Sequence, residues 1–425
     1  PASKTGQVKS GDRIIGVAQD GEKMVDVIGW PSSEIVGLIR GKRGTKVTVK
    51  LLGAGAAMSQ ARSVTIVRDV IQEEDAGVRS RTVEITRDGK KHVLGVVEIP
   101  SFYLNYRARR AGADYRSVSE DTNKALQALA NKNVEGIIID LRNNPGGSLE
   151  EVAKMLGQVI KSGPVVQIRD GNGNVSVFED TDGGKQTYAG PLAVMINLAS
   201  ASASEIYSAA IQDYGRGIVI GSTTTGKGTA QVQLDTLAHG QATLTQRKFY
   251  RVTGGSTQNK GVIPDIKLVD IYDEEFGERK AKNALVWDTI ATTPFKREGE
   301  IESYIPSLSA KSKQRVDADA QFEYLEARKM IAQVAKEQKK IVLDIDKRKA
   351  ELIALEQKTL DAENKRRTET GKKPYPNWES YQASMDALVE SRSKIKANQR
   401  PALPEEETFV TEAANVLLDL NHLKK

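Results

Sequence analysis

Two short runs, GIIID over residues 136–140 and PLAVMIN over 191–197, are apolar at nearly every successive position instead of every second one. A strand with that pattern has to be covered on both faces, which confines it to the inside of a layered α/β sheet. The segments around these runs fit that frame. From about residue 80 to 270 strands alternate with helices: KHVLGVVEI is a strand, and SEDTNKALQALANKN an amphipathic helix with a polar start. RNNPGGSLEEVAKMLGQVI is a tight Pro145-Gly146-Gly147 turn leading into a helix. SASASEIYSAAIQDYG is a helix closed by Gly215, and RGIVIG is a further strand. This alternation predicts a layered α/β domain. QATLTQRKFYRV then reads as a late edge strand and KGVIPDI as a proline-marked exit.

The flanks differ in kind. Residues 1–70 read as a β-rich module: GDRIIGVAQDGEKMVDV is strand, turn, strand, SSEIVGLIRGKRG a short serine-capped helix ended by Gly41, and KVTVKLL another strand. Beyond residue 275 the composition shifts to Lys, Glu, Ala and Leu. From Ala318 to Thr368, the residues Val334, Ile341, Ile345, Leu352 and Leu355 recur at helical spacing among charges. That spacing predicts one or two long amphipathic helices with one buried stripe and a solvated charged face. Gly371, Pro374 and Pro376 end this segment, and EEETFVTEAANVLLDLNHL forms a helical tail. The expected division is therefore 1–70, 71–275 and 276–425, within the size range of three domains for 425 residues.

Composition excludes several chemistries. There is no cysteine, so thiol catalysis, disulfides and thiolate metal sites are absent. The 62 Lys and Arg against 56 Asp and Glu leave only +6, and aromatics are scarce, which argues against a stacking platform for nucleic acid. No run approaches the roughly eighteen apolar residues of a membrane span, and Pro1 opens no signal peptide, so a soluble chain, or a mature or truncated fragment, is expected. The histidines are three: His92 in a charged turn, His239 beside Gly240, and His422 near the end, all expected at the surface. A serine, histidine and aspartate triad or a typical zinc site is disfavoured accordingly.

The stretch GSTTTGKGT, Gly221 to Thr229, nearly matches a phosphate-cradling loop, but Gly228 stands where a magnesium-binding serine or threonine is needed, and the strand-like TAQVQL follows instead of a helix. Lys227 therefore asks for another use. A lysine can replace histidine as the base for a serine hydroxyl where burial or a neighbouring cation favours the uncharged amine. SASASE offers Ser200, Ser202 and Ser204 at the start of a helix whose unpaired amides can stabilise negative charge. Gly146 and Gly147 offer a turn whose backbone can approach a carbonyl. Each feature also has a plain reading: Ser202-Ala203-Ser204-Glu205 is a capping box, Lys227 a solvated loop lysine, and Pro145-Gly146-Gly147 an ordinary turn.

The ordered set LRNNPGG (141–147), SASASEI (200–206), QDYGR (212–216) and GKGTAQ (226–231) resembles the protease domain of the tail-specific proteases, or C-terminal processing peptidases. The first module resembles the second half of a PDZ domain, through Gly11-Asp12-Arg13-Ile14, Ser33 to Arg40 and Gly41 to Val47. The resemblance extends to KFYRVTGGSTQNKGVIPDI, covers roughly residues 1–270, and is strongest to the long periplasmic branch. It implies a crotonase- or ClpP-like protease core in an α/β layering, a partial PDZ β-module and an all-α C-terminal domain. It makes Ser202 the nucleophile, Lys227 the general base, Gln231 the residue that orients the lysine amine, and the amides of Gly147 and Ala203 the oxyanion hole. Glu205 reads as a cap and Asp213 as a structural support. No metal or cofactor is implied.

The sequence departs from the family pattern at Thr225, where many members carry phenylalanine, and in the upstream half of the PDZ module. Ile35, Leu38 and Ile39 are expected to form the helix side of a peptide groove. The expected function is a Ser-Lys serine endopeptidase that cleaves unstructured proteins, or tails with free apolar C-termini, in the periplasm, with a helical-repeat adaptor as partner. The rivals are a catalytically inert peptide-binding scaffold and an acyl-CoA-handling enzyme with a similar layered core.

Overall fold

The computed structural model describes residues 1–9, 11–53, 55–69, 77–112, 115–179, 186–234, 242–270, 277–337, 340–393, 395 and 403–424. They fall into two compact units, one of 1–75 with 383–400 and one of 76–382 with 401–425. Among the described residues no helix is long and apolar enough to cross a membrane.

In the first unit β1 (Arg13–Gln19), β2 (Val25–Asp26), β3 (Lys46–Leu52) and β4 (Arg62–Val67) make an antiparallel sheet in the order β2-β1-β3-β4. Strand alternation buries Val47, Val49 and Leu51 of β3 with Val64 and Ile66 of β4. Helix α1 (Ser32–Ile39) closes this core, with Ile35, Leu38 and Ile39 half-buried against it. The expected groove-lining trio thus faces the module's own interior, while Val36 is exposed. The expected serine cap is not made: Pro31 holds the cap position, where a side chain has no hydroxyl to offer. At the other end Arg68 closes the helix, donating to Ile39 O at 2.7 Å and Leu38 O at 3.1 Å.

The second unit carries β5 (Arg79–Arg87), β6 (Lys90–Glu98), β7 (Ile137–Asp140), β8 (Pro164–Asp170), β9 (Val175–Glu179), β10 (Leu192–Ile196), β11 (Ile218–Gly221), β12 (Thr229–Leu234), β13 (Ala242–Tyr250) and β14 (Ile266–Lys267). With them are α2 (Tyr106–Arg110), α3 (Val118–Ala130), α4 (Leu149–Gly157) and α5 (Ala203–Asp213). The main sheet has the order β14-β11-β10-β7-β6-β5, parallel except for the antiparallel β5. Its parallel strands lie side by side in chain order, so right-handed crossovers deliver every connecting helix to the same face. There α3, α4 and α5 pack on Ile137, Ile139, Val194 and Ile196.

The opposite face, with Ile138, Ala193, Met195, Ile218 and Ile220, would be left bare by that winding. It is covered instead by the C-terminal helices α6 (Ile305–Asp317), α7 (Ala320–Glu337) and, after α8 (Ile345–Glu369) and α9 (Trp378–Ser393), α10 (Pro404–Leu423). Leu308, Phe322, Leu325, Val416 and Leu417 supply the contacts. The continuous apolar runs are thus covered on both faces, as their pattern requires.

Three expectations are corrected. β13 is not an edge strand: it lies between β12 and β8 in a second, antiparallel sheet of order β12-β13-β8-β9. The stripe expected along the long helices is not buried. Val334, Ile341, Ile345 and Leu352 are exposed and Leu355 only half-buried, while α8 buries Leu360 and Glu363 instead. Periodicity identifies a face, but burial needs a partner element, and α8 meets one only along part of its length. His92 lies on β6 and not in the turn, half-buried, with Nδ1 at 2.9 Å from a Glu135 carboxylate oxygen. His422 is exposed in the last turn of α10, and His239 lies outside the described residues.

Candidate active site

β7, β10 and β11 are adjacent and parallel, so their carboxyl ends share one edge of the sheet, the usual place for a site in such folds. β7 runs into the Pro145-Gly146-Gly147 turn, β10 into residues 197–202 and α5, and β11 into the loop of residues 222–228. The three motifs therefore converge because three neighbouring strands end together.

The turn and the start of α5 are in direct contact. A Cβ placed on Gly146 would stand 2.8 Å from Ser202 Cβ and 3.0 Å from Ala203 N, and one on Gly147 only 2.3 Å from Phe102 O. Both residues also have positive φ, 101° and 147°, so glycine is required at each. Asn144, fully buried, welds the two pieces. Its Nδ2 donates to Ile99 O at 2.8 Å and its Oδ1 accepts from Gly146 N at 2.9 Å. Its carbonyl accepts from Ala201 N at 3.0 Å and Ser204 Oγ at 2.9 Å. Among the described residues the amides of Gly147 and Ala203 donate to nothing, which leaves two N–H groups beside Ser202.

The three serines separate cleanly. Ser200 and Ser204 are fully buried, and their hydroxyls donate to backbone carbonyls, Ser200 Oγ to Leu141 O at 2.8 Å and Ser204 Oγ to Asn144 O at 2.9 Å. Ser202 is half-exposed and its side chain caps nothing. Of the expected capping box only the glutamate half is present, Ser202 N donating to Glu205 Oε2 at 2.8 Å. Ser202 also has φ 55° and ψ −110°, a conformation that costs a non-glycine residue about 1–3 kcal/mol. Such strain is typical of a nucleophile presented on a sharp turn between strand and helix.

Glu205 does far more than cap. Its buried carboxylate accepts from Ser202 N and Lys227 N through Oε2, each at 2.8 Å, and from Gly226 N at 2.8 Å and Thr224 Oγ1 at 2.5 Å through Oε1. One oxygen thus fixes the backbones of both Ser202 and Lys227. Burial pushes the Glu205 carboxyl up, opposed by the four hydrogen bonds it receives. Lys227 is half-buried, and among the described residues neither its Nζ nor Ser202 Oγ has a hydrogen-bond partner. Glu205 and Asn144 were not singled out as site residues by sequence; the usable signal was their place inside the SASASEI and LRNNPGG motifs.

Gln231 is brought to a different partner from the expected one. A bulge between Ala230 and Gln231 shifts the register of β12, and Gln231 Nε2 lies 3.4 Å from Thr245 Oγ1, exposed. Asp213, at the far end of α5, is held by Arg251 at 2.6 Å. Eleven residues of helix put it about 16 Å from the nucleophile end, a bracing position.

Two family models match the chain. Residues 93–268 match the model for peptidase family S41, and 271–422 that for the C-terminal domain of tail-specific proteases. The tail-specific protease of Haemophilus influenzae is 39% identical over 385 residues, 88% of this chain and 53% of that protein. The carboxy-terminal processing protease CtpB of Bacillus subtilis is 32% identical over 269 residues, 63% of this chain and 50% of that one. The chain thus spans about half the length of these curated relatives. Among solved structures, the photosystem II D1 C-terminal processing protease is 26% identical with a TM-score of 0.41, covering 63% of this chain and 65% of that one. A peptide-bound PDZ domain of the Vibrio cholerae carboxy-terminal protease is 45% identical over 17% of this chain and 72% of that one, with a TM-score of 0.16.

Proposed function

Because the chain belongs to the tail-specific, C-terminal processing proteases of peptidase family S41, we propose that it is a serine endopeptidase with a Ser202–Lys227 dyad. The observation that carries the reading is Ser202 itself: strained, uncapped, and flanked by two unpaired amides.

Lys227 Nζ takes the proton of Ser202 Oγ on its lone pair as the oxygen attacks the scissile carbonyl carbon. The carbonyl oxygen, now negative, receives hydrogen bonds from Gly147 N and Ala203 N. When the tetrahedral adduct collapses the peptide C–N bond breaks and Lys227 returns the proton to the leaving amine. Water, deprotonated by Lys227, then attacks the acyl ester, releasing the carboxylic acid and restoring Ser202. With the two backbones fixed by Glu205, side-chain rotation alone has to bring Oγ and Nζ together. Gln231 orients the amine once that pairing forms.

The substrates are unstructured proteins or tails with free apolar C-termini, met in the periplasm with a helical-repeat adaptor, and residues 1–70 contribute the peptide-recognising module. The segments 1–70, 71–275 and 276–425 are its functional divisions. Incubation with an unfolded protein that ends in a free apolar tail, read by mass spectrometry, tests the activity. Fragments formed by the parent and lost in both Ser202→Ala and Lys227→Ala support it; fragments that persist in either variant contradict it.

A further inference from the structure

The loop that carries Lys227 has no regular structure of its own between Ser222 and Gly228, so its shape is set by what surrounds it. Glu205 is the inner wall. The outer wall comes from two later segments. Asn259 N donates to Gly226 O at 2.7 Å, and Gly228 N donates to Gln258 Oε1 at 2.8 Å. Gln258, 1% exposed, passes the contact on: its Nε2 donates to Glu278 Oε2 at 3.2 Å. Residues 277–280 in turn lie along the loop, with Glu278 N donating to Thr225 O at 3.0 Å and Arg279 Nη2 to Thr224 O at 2.9 Å. A Cβ on Gly277, whose φ is 112°, would stand 2.8 Å from Thr225 O, so the strap approaches as closely as backbone can. Every amide from Gly226 to Gly228, and the carbonyls of Thr224, Thr225 and Gly226, are thereby engaged.

We propose that Glu278 is a positioning residue for Lys227, acting through the side-chain amide of Gln258. A primary amide offers an acceptor at one end and donors at the other, and Gly228 N–H needs the acceptor. An acceptor at the far end, the Glu278 carboxylate oxygen, holds the NH2 and so keeps the amide seated against Gly228 N–H. Without it the Gln258 side chain is held by Gly228 N–H alone and is free to swing away, so the loop's outer anchor just after the lysine loosens. Glu278 falls inside the segment matched as the tail-specific protease C-terminal domain, so that region completes the lysine loop as well as packing on the core.

The proposal rests on the reading of Lys227 as the general base, and the test separates the two. Hydrogen exchange at the Gly228 amide and steady-state cleavage of a fluorogenic peptide with a free apolar C-terminus are measured on the full chain. The variants are Glu278→Ala, Glu278→Gln, Gln258→Leu and Lys227→Ala, with urea midpoints as a folding control. Glu278→Ala and Gln258→Leu are expected to raise exchange at Gly228 about tenfold while Gly226 and Lys227, anchored by Glu205, stay protected. Glu278→Ala is expected to lower kcat about tenfold or more at unchanged KM, as small misplacements of a catalytic group do. Glu278→Gln, whose Oε1 still accepts, restores both toward the parent. Parent-like exchange and kcat in Glu278→Ala, or damage in Glu278→Gln equal to that in Glu278→Ala, overturns the proposal. Cleavage that survives Lys227→Ala overturns the reading of the base instead.

Discussion

At the scale of single residues, three serines at alternate positions do two different jobs, and what each hydroxyl touches decides which. Ser200 and Ser204 tie loops to carbonyls, whereas Ser202 keeps its oxygen uncommitted on a strained backbone. Ser202→Ala should therefore lower kcat roughly 10⁴-fold or more with little change in the urea midpoint. Ser200→Ala and Ser204→Ala should do the reverse, costing about 1–3 kcal/mol of stability while leaving measurable turnover. Glu205 gives a sharper case. Glu205→Gln changes almost no volume, yet its NH2 must face N–H donors that the carboxylate accepted. Stranding buried donors costs about 1–3 kcal/mol each, so the urea midpoint should fall and activity should fall with it. A variant as stable and active as the parent would remove Glu205 from the account. Sequence placed Ser202 at a helix start and Lys227 in a loop, as the structure has them, because short motifs with glycines and a helix start are local signals. Apart from the family resemblance, which pointed to Ser202, the residues themselves could not rank the three serines, since the partners of Ser200 and Ser204 are carbonyls about 60 residues upstream.

At the scale of elements, β13 shows how neighbours alter a strand. Read alone it is an edge; in the fold it is flanked by β12, which leaves the lysine loop, and by β8. Asp288 latches a later segment to this sheet, accepting from Lys248 Nζ at 2.5 Å, Arg169 Nη2 at 2.6 Å and Tyr250 Oη at 3.1 Å. Burial works against its charge, but the bonds from Lys248 and Arg169 prevail and hold the carboxyl below the ordinary aspartate value. A carboxyl lowered on folding adds stability that is full above its unfolded pKa, near 3.9, and vanishes as pH falls through the lower folded value. Chemical denaturation across acid pH should therefore show Asp288→Asn less stable than the parent above about pH 4, with the two curves merging below it. A constant gap at all pH values would mean that the latch is not ionic.

At the scale of the whole second unit, the main sheet is wound in one direction, and that single fact explains why helices so far along the chain belong to its core. The apolar runs showed that both faces of β7 and β10 need cover, but not that α6, α7 and α10 provide one of them; the partner of an amphipathic face lies beyond any local pattern. Leu417, fully buried against Gly136 at the head of β7, makes the point testable. Leu417→Ala should cost about 2–5 kcal/mol and shift the one main calorimetric transition of the sheet, whereas a separate, lower transition would show the helices melting on their own. The same winding brings three strand ends together, and with them Gly147, Ser202 and Lys227, the combination on which the functional account depends. The most direct measurement is to label the parent chain and its Lys227→Ala variant with a fluorophosphonate and locate the adduct by peptide mapping. The account predicts phosphonylation at Ser202 and its near loss in Lys227→Ala. An adduct on Ser200 or Ser204, or an equal labelling rate without the lysine, would contradict it.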